Sequence, residues 1–187
     1  MKYIITGSIA FLFFVVFDYY TLYNKGRKKK LYGLAGLSLF IYSAVMTIIT
    51  SETIRFPVTI RFIGGILWVL FLFMLIYSLF LELPFVKTYG KEEHNRDLVD
   101  TGTYSLCRHP GVLWFGLLFL SVFLTTGAVL VAIAGIVWTS IDVFHVYLQE
   151  KIFFCKMFEG YENYMKTTPM LIPNKNSIKK CKDTIFR

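Results

Sequence analysis

The sequence predicts an all-α, polytopic membrane protein of about five transmembrane helices followed by a C-terminal cytosolic helix, and three observations carry that reading. Of 187 residues, 56% are hydrophobic and 18% aromatic. Only 17% are charged, against about a quarter in soluble domains. The charges are also clustered, which leaves uncharged stretches close to the roughly 20 apolar residues that cross a bilayer. A chain of this length reads as one membrane domain.

The first span is read over residues 3–22. Its length and its right-hand flank, Asn24-Lys25-Gly26-Arg27-Lys28-Lys29-Lys30, are wrong for a cleaved signal peptide. Spans two and three are read over 31–50 and 62–81, where Gly33, Gly36 and the Gly64-Gly65 pair let helices approach closely. Residues 51–61 between them alternate apolar and polar side chains, which predicts an interfacial connection without chemistry. Spans four and five, 111–124 and 128–148, predict a tight hairpin turning at Thr125-Thr126-Gly127. The fourth is short and must sit shallowly or begin among headgroups. A cytosolic loop over 84–110 carries mixed charge and turn formers such as Gly90, Asn95, Asp100 and Gly102, and loops of that length usually carry a function or are disordered. Beyond span five the helix is expected to run into water through residues 149–164, with Pro169 and Pro173 ending the pattern before a basic tail.

Orientation follows from the basic residues. With five spans, one side keeps only Lys2, Arg55 and Arg61 of the 20 Lys and Arg. The rest share the other side, so the N-terminus is expected outside and the C-terminus in the cytosol. The net charge of +8 is then explained by topology and attraction to anionic membrane lipids, with no nucleic acid required. Cys107, Cys155 and Cys181 fall on the expected cytosolic side, where disulfides are disfavoured. Their spacing suits no zinc site, and no metal is expected.

The most informative run is Gly102-Thr103-Tyr104-Ser105-Leu106-Cys107-Arg108-His109-Pro110. Pro110 suits the first turn of span four, where its missing N–H costs nothing. The same proline biases His109 away from helical geometry. Arg108 and His109 are thereby presented on irregular backbone beside a helix N-terminus, which favours anions. A tight hairpin brings that run close to the far end of span five, where Glu150 stands.

With these residues on the page, the chain resembles the integral-membrane methyltransferases typified by isoprenylcysteine carboxyl methyltransferase, with phospholipid N-methyltransferases as relatives. Gly102, Tyr104, Arg108, His109, Pro110, Glu150, Tyr161, Tyr164, Pro169 and Pro173 match the family pattern. The resemblance implies methyl transfer from S-adenosylmethionine to a lipophilic small-molecule or lipid-modified acceptor. It implies Arg108, His109 and Glu150 as catalytic residues, and Gly102, Tyr104, Tyr161 and Tyr164 as further cofactor contacts. Arg108 suits the cofactor carboxylate, and Glu150 its ammonium or ribose hydroxyls. Two departures stand out. Val112 and Trp114 replace a tyrosine and a glycine of the pattern, so one contact is missing and an indole fills space that the family leaves open. Gln149-Glu150 also replaces a pair of glutamates.

Asp142, His145 and Gln149 share one face of span five. Ionisable groups inside a span are costly and often functional, so Asp142 and His145, with Trp114, are the candidates for the acceptor side. Asp142 could equally satisfy His145 and a neighbouring helix. Asp18 reads as a buried structural partner and Glu82 as solvated; His94 has nothing to place it. Two other classes stay open. Membrane reductases resembling steroid 5-alpha-reductases carry a related Arg-His-Pro stretch and use NADPH, but follow it with residues that Gly111-Val112 and Phe115-Gly116 do not supply. A scaffold that kept the fold and lost the chemistry is the non-enzymatic alternative.

Overall fold

Helices account for the membrane segments of the computed structural model, which describes residues 1–23, 26–83 and 98–184. The elements are α1 (Lys2–Leu22), α2 (Gly26–Ile49), α3 (Val58–Ile76), a π-helical turn (Tyr77–Glu82), α4 (Thr103–Leu106), α5 (Pro110–Thr126), α6 (Val129–Leu148), a second π-helical turn (Gln149–Phe154), α7 (Cys155–Met157), α8 (Tyr161–Thr167) and α9 (Lys175–Thr184). Among the described residues there is no strand, only an isolated bridge between Thr53 and Ala128.

Four helical stretches are long and apolar enough to cross a membrane: Lys2–Leu22, Gly26–Ile49, Val58–Glu82 and Val129–Met157. The protein is therefore an integral membrane protein. The fourth expected span, α5, has 17 residues, or about 26 Å of helix, short of the roughly 30 Å hydrocarbon core, in keeping with its being read as the short one. Length and composition by themselves thus account for four of the five expected spans, and α5 is a shorter apolar helix.

The helices pack in the order α2–α1–α6–α5–α3, with α1 against α2 and α3 against α5 as the broadest contacts. The central core joins Ile4, Phe11, Phe119, Val131, Ala134 and Trp138. Trp138 is fully buried, and its indole Nε1 donates to the Ile4 carbonyl at 3.0 Å. A Cβ on Gly7 would lie 2.2 Å from that indole. Large apolar side chains such as Leu34, Ile41, Phe62, Val69 and Phe73 stay exposed, as a lipid-facing surface requires.

Several glycines behave as expected and one does not. Gly36 lies against Phe13 and Phe14, and Gly64 against Thr125, whereas Gly65 meets nothing. The connection after α2 is a clasp. Ile54 N–H donates to Gly127 O at 2.9 Å and Val129 N–H to Glu52 O at 3.0 Å, so the segment grips the α5–α6 turn. Gly127 has a φ of 73°, and a Cβ there would meet the Ile54 carbonyl.

The helix expected over 149–164 is broken. Phe158 is extended and Gly160 takes a left-handed φ of 75°, a conformation open to glycine at little cost. The break turns α8 back on the bundle, so Tyr161 and Tyr164 are buried instead of solvated. Glu82 is a second correction. Its carboxylate accepts from Thr103 N–H at 2.6 Å and from the Thr103 hydroxyl, which ties α4 to the end of α3. Of the loop expected over 84–110, residues 84–97, with His94, lie outside the described residues.

Candidate active site

Pro110 opens α5, and His109 before it sits at φ −127°, ψ 65°, outside the helical region. The backbone N–H groups of Arg108 and His109 donate to Pro169 O at 2.9 Å and Met170 O at 3.2 Å. The proline-bounded segment after α8 thus pins the Arg-His pair on irregular backbone. On the other side of the hairpin, the π-helical turn carries Glu150. Such turns often occur at functional sites.

Glu150 is the hub. Its Oε1 accepts from Arg108 Nε at 2.6 Å, from His109 Nε2 at 2.9 Å and from the Tyr161 hydroxyl at 3.1 Å. Its Oε2 accepts from Arg108 Nη2 at 3.0 Å. Arg108 Nη1 donates further to Met165 O at 3.0 Å and Thr168 O at 2.6 Å. With five N–H donors available to an arginine, one on Nη2 has no partner among the described residues. The Tyr164 hydroxyl donates to Tyr104 O, and the Tyr104 hydroxyl to Ser78 O at 3.1 Å. His109 lies parallel to Phe154, ring centroids 6.0 Å apart.

Tyr104, Arg108, His109, Phe154, Tyr161 and Tyr164 form one wall of a half-open cavity of about 450 Å³ that is also lined by residues of α1, α2, α3, α5 and α6. The opposite apolar wall includes Phe11, Phe14, Phe40, Leu75 and Phe115. Tyr104, Arg108, His109, Asp142, His145, Tyr161 and Tyr164 all line it, and so does Val112. Three expected site residues do not. Glu150 stands behind Arg108 and His109, because its oxygens are turned to those two side chains and Tyr161; it positions the groups that face the cavity. Gly102 is a structural requirement. Its φ is +55°, a Cβ would fall 1.7 Å from the Glu82 carboxylate, and its N–H donates to the Thr184 hydroxyl at 3.0 Å. Trp114 faces α3, stacked at 17° on Phe71 with centroids 6.4 Å apart, so the indole neither fills nor narrows the cavity.

Asp18 is the buried partner that the sequence reading expects, but that reading does not place it at the cavity. It lines the cavity, and its Oδ2 accepts from His145 Nε2 at 2.8 Å and from Gln149 Nε2 at 2.9 Å. The available signal was a lone carboxylate inside an otherwise apolar span. Partner and cavity became visible only once α1 lay against α6.

Electrostatics follow from burial. Burial opposes the Arg108 charge, but the bonds and charge of Glu150 outweigh it and raise its pKa. Burial pushes the His109 pKa below its ordinary value and outweighs the pull of Glu150. The carboxylate is already neutralised by Arg108, so a second buried cation gains little. Burial, then the Glu150 charge, pushes the Tyr161 hydroxyl far up, and burial does the same for Tyr164. Burial also pushes the Cys107 thiol up to about 12, so it is no nucleophile at neutral pH.

A pH dependence follows. Between the lowered folded pKa and the unfolded value of about 6.5, the unfolded chain binds more protons at His109, so stability rises with pH. This contribution is fully present above about pH 6.5 and is lost as pH falls through the folded value. The melting temperature of the wild type should drop more steeply from about pH 6.5 to 5 than that of His109→Gln; equal slopes would contradict a neutral His109.

The family model for phospholipid methyltransferases matches residues 60–160. No curated protein and no solved structure matches the chain.

Proposed function

Because the chain belongs to the phospholipid methyltransferase family, we propose that it transfers a methyl group from S-adenosylmethionine to a lipophilic acceptor that enters the cavity from the bilayer. The observation that supports this most directly is the joining of the Arg108–His109–Glu150–Tyr161 cluster to an apolar cavity between membrane helices.

The residues fit such a cofactor. When bound, S-adenosylmethionine supplies an electrophilic methyl group on a sulfonium. Arg108, with one N–H left, suits a carboxylate. Phe154, Phe158 and Tyr161 line the cavity beside it, and aromatic faces attract cations. Glu150 holds Arg108 and His109 in place, so they need not reorganise during the reaction. The apolar wall excludes water and takes the acceptor's hydrocarbon, and alignment of the two reactants supplies much of the rate. With the shorter α5 counted as a fifth, shallow crossing, the distribution of Lys and Arg supports placing the N-terminus outside and the C-terminus and the site's mouth in the cytosol. Membrane lipids are the natural surroundings and the natural source of acceptor, and no nucleic acid is called for.

The test is thermal unfolding of the detergent-purified protein with S-adenosylmethionine, S-adenosylhomocysteine or NADPH. A ligand that binds only the folded state stabilises it, by about 2.7 kcal/mol at 100 times its Kd. Stabilisation by both adenosyl compounds, lost in Arg108→Ala, is the expected result. Stabilisation by NADPH alone would identify a reductase, and no shift with any of the three would leave a non-catalytic scaffold.

A further inference from the structure

The C-terminal helix α9 carries four lysines against one acidic residue, Asp183. Its start is reciprocally capped. Asn174 Oδ1 accepts from Ser177 N–H at 2.9 Å, and the Ser177 hydroxyl accepts from Asn174 N–H at 2.9 Å, an exchange that satisfies backbone donors at a helix start. The two faces of α9 differ. Ser177 is buried, and Thr184, two turns on, packs against α4: its Oγ1 accepts from Gly102 N–H at 3.0 Å and lies 3.2 Å from the Ser105 hydroxyl. Lys180 donates to Asp100 Oδ2 at 2.8 Å. Lys175, Ile178, Lys179 and Lys182, at i, i+3, i+4 and i+7, share another face, and all four are exposed. Among the described residues Lys175, Lys179 and Lys182 have no ion-pair partner. Ile172, just ahead of the helix, is 83% exposed.

Position selects the partner of that basic face. Thr103 of α4 bonds Glu82, the residue at which the apolar stretch Val58–Glu82 ends. Packed on α4, α9 lies about one helix spacing, 8–10 Å, from the membrane end of α3. The potential of an anionic lipid surface still acts over such a distance at physiological salt. Lysines edged by exposed isoleucine suit a surface of that kind, where the apolar side chains enter the headgroup layer. We propose that the Lys175–Lys179–Lys182 face of α9 binds anionic lipid headgroups of the membrane, and that this contact holds α4, and with it Tyr104, at the wall of the cavity. α4 has four residues, and a single helical turn does not keep its own shape. Glu82 holds it from one side, and Thr184 and Lys180 hold the segment leading into it from the other. Tyr104 follows α4: its side chain lines the cavity, its hydroxyl donates to Ser78 O, and its carbonyl accepts from the Tyr164 hydroxyl. Docked and helical, α9 presents its three free lysines together beside the bilayer, so anionic lipid favours the docked state, and whatever steadies α9 steadies α4. The contact does not depend on the reaction that the cavity performs.

Amide hydrogen exchange of the full chain in nanodiscs tests this, in phosphatidylcholine alone and in an equal mixture of phosphatidylcholine and phosphatidylglycerol. Amides of α9 and of residues 102–107 should exchange about 10-fold more slowly in the anionic bilayer, each lysine near such a surface contributing roughly fivefold. The Gly102 amide, bonded to Thr184, reports the docking of α9 on α4 directly. The difference should vanish in about 1 M salt, where the Debye length falls to about 3 Å. It should vanish equally in the triple variant Lys175→Gln, Lys179→Gln, Lys182→Gln. It should persist when the same charge is removed at the start of α2 by Arg27→Gln, Lys28→Gln and Lys30→Gln. Thr184→Val, which removes the bond to Gly102, should keep the lipid response of α9 and lose that of α4. Equal or faster exchange in the anionic bilayer overturns the proposal, as does a response that survives the α9 triple variant or disappears in the α2 one. A response of α9 with none in α4, or an α4 response unchanged in Thr184→Val, overturns the coupling to Tyr104. Slower exchange on adding poly-glutamate to the phosphatidylcholine nanodiscs, with no effect of phosphatidylglycerol, would identify an acidic protein as the occupant and overturn the proposal as well.

Discussion

Glu150→Ala is expected to cost about 3–5 kcal/mol of stability, the usual result of removing one partner of a buried ion pair. In a chain of this size that is on the order of 10 °C in melting temperature. The Arg108 and Glu150 side chains are 10% and 7% exposed, and Glu150 accepts from three side chains on two segments. Its removal leaves the Arg108 guanidinium with two carbonyls and no counter-charge, and frees the His109 ring and the Tyr161 hydroxyl. Adenosyl-cofactor binding should vanish with it. The double variant Arg108→Met, Glu150→Leu separates the two consequences. Replacing both members of a buried pair by apolar groups is often neutral or stabilising, so thermal stability should largely return while cofactor binding stays lost. Recovery of binding in that double variant would mean that the pair holds the fold and takes no part in the site.

Trp138→Ala is expected to cost a comparable 3–5 kcal/mol. The helices sit in lipid as apolar as the side chain itself, so the loss comes from dispersion contacts and an unfilled cavity, not from hydration. Trp138 touches Phe40 and Phe119, with centroids at 4.9 and 5.3 Å, and its Nε1 bonds the Ile4 carbonyl while Gly7 makes room for the ring. The indole thereby fixes the register of α1 on α6, and the same register sets Asp18 against His145. Thermal unfolding should show the full loss in Trp138→Ala and a smaller one in Trp138→Phe. Equal losses would mean that the Nε1 bond to Ile4, and not the ring's bulk, holds the register.

The helical class and the extent of the long apolar spans were legible because lipid admits few backbone solutions, and uncharged runs of the right length report them directly. The gathering of Arg108, His109 and Glu150 was legible for a related reason. A short turn at Gly127 leaves α5 and α6 antiparallel, so the residues at their free ends must meet. The meaning of Glu150 was not legible, since a motif gives a residue and not the direction in which its oxygens turn. It stands behind the cavity wall because the π-helical turn and the chain reversal at Gly160 bring Arg108, His109 and Tyr161 onto it.

Other features depended wholly on contacts between distant segments. Trp114 faces Phe71 and not the cavity, Glu82 caps α4, and Asp18 meets His145 across α1 and α6. A single carboxylate in a span announces that a partner exists, but the partner is chosen by how the helices rotate against one another. The sequence by itself determined a helical membrane protein with a polar cluster at one end of a hairpin, because backbone hydrogen bonding and hydrophobic length are local properties. Only the tertiary structure decided which of those polar groups face the cavity and which hold the others in place, because side-chain direction is set by the packing of helices far apart in the chain.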